Sequence, residues 1–126
     1  PGPLPAHAVL RRPEIGAVMV RGRAGATGAP FNLGEMTVTR ASVRLGGPGG
    51  DGAGAVGHAC VQGRDRDHAL RAALADALMQ GPDAAAFRAG VLAPLEAEEA
   101  GRRRARAARA ARTRVEFFTL VRGEDA

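Results

Sequence analysis

The sequence has no tryptophan, no tyrosine and no lysine, and it holds one cysteine. A lone cysteine excludes an intramolecular disulfide scaffold and fits a reducing compartment. No apolar run nears the roughly 18 residues of a membrane-spanning helix. Leu4 to Leu10, interrupted by Pro5 and His7, is too short and broken for a secretory signal. A reducing compartment and no membrane partner are therefore expected. At 126 residues the chain reads as one modest domain, not a multidomain enzyme, with residues 1–7 as a flexible Pro/Gly-rich lead.

What is present is lopsided. Hydrophobic residues make up 45% of the chain, but 28 of them are alanine and only 28 are Leu, Ile, Val, Met or Phe. So lean a core predicts that some apolar surface is completed by another subunit. The net charge is +5, from 18 arginines against 13 acids. Such a balance suits phosphate, nucleic acid or a membrane surface. An all-arginine chain rich in Ala, Gly and Pro is also what codon bias produces.

The apolar patterning predicts strands first. Ala8 to Arg12 reads as a short strand stopped by Pro13, and Ile15 to Arg21, apolar on both faces, as a buried central strand. Gly22 to Pro30 reads as a glycine-rich hairpin connection, with Gly25 to Gly28 as a weak anion-cradle candidate. Met36 to Leu45 is a long strand whose apolar phase changes near Thr39 and Arg40, which predicts a bulge there. After the Gly46 to Gly54 loop, Ala55 to Gln62 places Ala55, Gly57, Ala59 and Val61 on one face, small enough for a helix to approach closely. Asp65 is a good N-cap for a helix whose stripe is Leu70, Ala73, Leu74, Ala77 and Leu78, stopped by Gly81-Pro82. Asp83 is expected to cap a short helix through Val91. Leu95 to Thr113 forms a second long helix with acids first and arginines last, including Glu98–Arg102 and Glu99–Arg103 pairs. Val115 to Arg122 closes as a strand. The order predicts an α+β fold: a mainly antiparallel sheet of about four to five strands against two long helices and one short helix.

Candidate sites are few. The seven arginines between Arg102 and Arg114 suit a phosphate or nucleic-acid surface, but they read better as a solvated helix end that answers the dipole. His58 and Cys60 alternate on one strand, yet no set of three or four converging ligands is in view, so no metal and no cofactor is expected. Cys60 reads as a small packed residue in preference to a nucleophile. In Gly63 to His68, a helix start with Arg64 and Arg66 suits an anion, although Asp65 competes for the same N–H groups.

Three stretches carry a family resemblance: Phe31 to Ala41, Val61 to Asp65 running into His68-Ala69, and Arg114 to Gly123. In order and spacing they resemble the PhnG family, the G subunits of the bacterial carbon–phosphorus lyase system. The resemblance implies a non-catalytic or accessory subunit of a cytoplasmic core complex. That complex forms alpha-D-ribose 1-methylphosphonate 5-triphosphate from ATP and methylphosphonate during phosphonate catabolism. The implied partners are the I, J and H subunits, chiefly I, with self-association as a further possibility. Family members usually begin with helical sequence that this chain lacks, so residues 1–126 are expected to form a single PhnG-like domain without it. No catalytic residue transfers from the family. Arg40, Arg64, Asp65, His68 and Arg122 are the candidate partner or phosphate contacts. The alternative reading is a small basic nucleic-acid-binding protein.

Overall fold

A computed structural model describes residues 3–46 and 54–115. The chain divides into two compact units, residues 1–88 and 89–126. The first unit is an antiparallel sheet in the order β1-β2-β3, formed by β1 (His7–Arg23), β2 (Pro30–Leu45) and β3 (Val56–Gln62). Helix α1 (Arg66–Leu78) packs on one face of this sheet, and the four-residue α2 (Ala84–Phe87) follows.

The two strands expected on either side of Pro13 are one strand. Register shifts between Val9 and Arg11, and again between Arg11 and Glu14, leave Leu10, Arg12 and Pro13 without partners on β2. A bulge asks nothing of the N–H that proline lacks, so the strand passes through. The bulge expected at Thr39 and Arg40 is absent, because β2 runs in continuous register with β3 from Val38 to Arg44. The irregularities sit in β1 and, between Val20 and Arg21, on the β2 side of that pair, where one extra residue is Leu33. Val38 and Thr39 lie on opposite faces by alternation, and both are buried. The segment Ile15 to Arg21, expected as a buried central strand, lies in an edge strand. Ile15 and Met19 there are exposed, and the central place belongs to β2.

The core is the sandwich of α1 on β2 and β3. Ala41, Val43, Ala69, Ala73 and Leu74 are buried together, with Leu45, Ala59, Val61 and Leu70 packed around them. Gly57 sets the spacing. A Cβ there would strike the Ala73 carbonyl oxygen and come within 2.6 Å of the Ala77 nitrogen, so the helix lies directly on the strand backbone. Alanine on the helix and glycine on the strand make this approach possible, as the small-residue face predicts. Two α1-side groups also reach the outer rim of β3. The Asp76 carboxylate accepts the His58 N–H at 2.9 Å, and the Gln80 side chain donates to the Val56 carbonyl at 2.8 Å.

In the second unit, α3 (Ala93–Ala111) follows a π-helical turn (Arg88–Leu92). Asp83 makes no capping hydrogen bond to α2, and Pro94 sits in the first turn of α3, where its missing N–H has no intrahelical partner to lose. Both ion pairs expected on α3 form, Arg102 with Glu98 at 3.1 Å and Arg103 with Glu99 at 3.1 Å, whereas Asp67 and Arg71, spaced to pair on α1, do not. Among the described residues the fold is therefore α+β with three strands: of the five expected, the first two are one, and the last falls almost wholly outside the described residues. The expected strand Val115 to Arg122 lies, from residue 116 onward, outside the described residues.

Candidate functional site

The turn from β3 into α1 is tied to the central strand. The Gly63 N–H donates to the Thr37 carbonyl at 2.9 Å, and the buried Thr39 hydroxyl donates to the Gly63 carbonyl at 2.7 Å. Gly63 adopts a φ of +98°, which favours glycine. This junction fixes where Arg64, Asp65 and His68 emerge. Asp65 caps α1 by accepting the His68 N–H at 2.9 Å, so the chain's own carboxylate occupies the first-turn donor. The Arg64 guanidinium and the His68 ring are exposed and make no hydrogen bond or ion pair among the described residues.

Arg40 belongs to the other side of the sheet. In β2 the residues Thr39, Ala41 and Val43 are buried toward α1, and alternation turns Arg40, Ser42 and Arg44 away. Register places Arg40 between Glu14 and Cys60, and Ser42 between Arg11 and His58. The Ser42 Oγ and His58 Nδ1 are hydrogen-bonded at 2.8 Å. Thus the structure does not unite the sequence candidates: Arg40 lies on the face away from α1, and Asp65 and His68 lie in the first turn of α1. Arg122 lies outside the described residues. Cross-strand register adds Arg11, Ser42 and His58 to Arg40, a grouping with no linear signal because its members lie on three strands.

What this face can do chemically is limited. Ser42 and His58 resemble a nucleophile and base, but Asp76 binds the His58 backbone N–H and not the ring, and no third group is hydrogen-bonded to that ring among the described residues. Cys60 is exposed, contrary to the expectation of a packed residue, because the small side of β3 (Gly57, Ala59, Val61) is the one that meets α1. Among the described residues no three His, Cys, Asp or Glu side chains are grouped to hold a metal ion. The face is basic and hydrogen-bonding, suited to hold anionic groups.

The other two basic candidates are partly spoken for. In the hairpin connection, the Thr27 and Gly28 N–H groups bond back to the Gly25 and Ala24 carbonyls, at 2.8 and 2.9 Å, so they are not offered to an anion. On α3, Glu98 and Glu99 engage Arg102, Arg103 and Arg106. Hydrogen bonds from Arg103 and then Arg102 hold the Glu99 carboxyl below its ordinary pKa.

Comparison with known proteins then separates the open readings. The family model of the phosphonate metabolism protein PhnG matches residues 2–123. The chain belongs to the PhnG family. It is 48% identical, over 128 aligned positions, to the alpha-D-ribose 1-methylphosphonate 5-triphosphate synthase subunit PhnG of Rhizobium meliloti (strain 1021). That alignment covers 96% of this chain and 74% of the relative. Within this PhnG-family chain, two of the three stretches that carry the resemblance meet in space. Phe31 to Ala41 runs along β2, and Val61 to Ala69 turns from β3 into α1; Thr37 and Thr39 bind Gly63 where they join. The third stretch lies almost wholly outside the described residues.

Proposed function

We propose that this chain is an accessory, non-catalytic subunit of an alpha-D-ribose 1-methylphosphonate 5-triphosphate synthase and acts in the catabolism of organic phosphonates. The observation that carries the reading is the 48% identity to a protein named as a subunit of that synthase, over 96% of the present chain. The geometry supports it. The face away from α1 is basic around Arg40, which suits contact with an anionic partner surface or a phosphate group. The chain works in the cytoplasm with the I, J and H subunits of the lyase core complex, chiefly I. Arg40, Arg64 and Arg122, with Asp65 and His68, contact either those partners or the phosphate groups they handle.

A strain lacking the gene, supplied with methylphosphonate as its sole phosphorus source, tests this reading. The wild-type chain restores growth, and Arg40→Ala or Arg64→Ala impairs it. Unimpaired growth of the deletion strain overturns the function. Full growth of both variants with an intact complex removes those two contacts.

A further inference from the structure

β3 pairs with β2 only up to Val38, so, among the described residues, 17–23 of β1 and 30–37 of β2 continue as a two-stranded arm beyond it. A two-stranded ribbon has too little to bury on its own. On this arm register places Val18 opposite Met36 and Val20 opposite Gly34, on the face away from α1. The extra residue at Leu33 then adds its side chain to the same face. Leu33 lies over Gly22, where a Cβ would come within 2.8 Å of its Cδ1, and Phe31 is the register partner of Gly22. Val18, Val20, Phe31, Leu33 and Met36 thus form one apolar stripe. Phe31 is 45% exposed and Leu33 is 62% exposed. An apolar patch of this kind marks an interaction surface.

The charges around the stripe have one dominant sign. Arg11 and Arg40 stand on the same face at its base beside Glu14, and Arg21 and Arg23, which alternation turns to the other face, line a shallow concavity at its tip with Gly22, Ala26 and Pro30. Only Glu14 and Glu35 oppose them in this stretch. A second copy docking arm to arm would bring arginine against arginine, which disfavours association. We propose that the arm is the docking element of this chain, and that its occupant is a sister subunit presenting an apolar groove edged with carboxylates. This rests on the subunit reading above and deepens it by naming the surface.

The test co-expresses the tagged chain with the remaining synthase subunits and measures what co-purifies. Phe31→Asp with Leu33→Asp is expected to lower partner recovery at least tenfold. The thermal unfolding midpoint of the isolated variant should stay at the wild-type value, since neither residue belongs to the α1 core. Arg21→Glu, which leaves the stripe intact, is expected to weaken recovery about threefold and to reduce its sensitivity to salt. If the double variant recovers partners as well as wild type does, the docking surface is wrong and the subunit reading stands. If the wild-type chain recovers no partner, the subunit reading fails first. Self-association of the isolated chain that the double variant abolishes would give the arm to a second copy and overturn the proposal. Arm-dependent binding to vesicles containing anionic lipid would overturn it in favour of a membrane.

Discussion

β1 and β2 run the length of the first unit, but their two halves are built from opposite materials. Under α1 the sheet is closed by small side chains: Ala41, Gly57, Ala59, Ala69, Ala73 and Ala77. Along the arm the same strands carry Val18, Met19, Val20, Phe31, Leu33 and Met36, of which none is fully buried. The helix-covered half buries mostly small residues around Val43 and Leu74, whereas the arm leaves its large ones at least partly exposed. Close backbone approach stabilises the first half through dense contact. The second half keeps its apolar area in reserve, where burial of each large side chain by a partner contributes about 1.5–3 kcal/mol before the costs of association.

This contrast can be broken at either end. The largest effect is expected from Gly57→Ala: one methyl group aimed at the Ala73 carbonyl and Ala77 forces α1 off the strand and should destabilise the fold by about 3 kcal/mol. Denaturant unfolding measures it, and a loss near zero would show that α1 does not lie as closely as described. Asp65→Ala removes the cap on the same helix and should cost about 1 kcal/mol in the same assay. Phe31→Ala deletes far more apolar volume, yet on the arm it should change stability by less than about 0.5 kcal/mol. A loss of the size seen for a core phenylalanine would erase the distinction between the halves.

The smallest effect concerns α3. Its arginine partners hold the Glu99 carboxyl below the ordinary carboxylate range, so this stabilisation is present above the ordinary value and is lost as pH falls through the depressed one. Far-UV ellipticity during acid titration should show a helicity advantage of wild type over Glu99→Gln at neutral pH that disappears in acid. A constant difference across the titration would assign it to something other than the ion pairs.

The helical part of the core was legible because its signals are local. Asp65 as cap, the Ala73, Leu74 and Ala77 stripe and the small face around Gly57 each follow from spacing within a few residues. The strands were less legible for a physical reason. An irregularity in one strand of a pair can be absorbed by the other. The phase change near Thr39 therefore gave no bulge in β2, and Pro13 did not end β1. Ile15 to Arg21 looked central because apolar residues on both faces signal burial without saying by what. The same pattern serves a surface covered by its own chain and one held ready for another. Of the site, Arg64 and Asp65 were readable beside a helix start. The Ser42–His58 contact, 16 residues apart, and the placement of Arg11 beside Ser42 depend on register, which no single stretch encodes.

The side chains on the outer rim of β3 bear on how such a molecule stays dispersed before assembly. Asp76 and Gln80 plug backbone groups that would otherwise template a foreign strand, and on the opposite rim Pro13 and its neighbouring irregularities spoil the ladder. Growth into a cross-strand polymer is thereby blocked at both margins of the helix-covered region. A subunit that carries sticky surface through the cell would need such stoppers most.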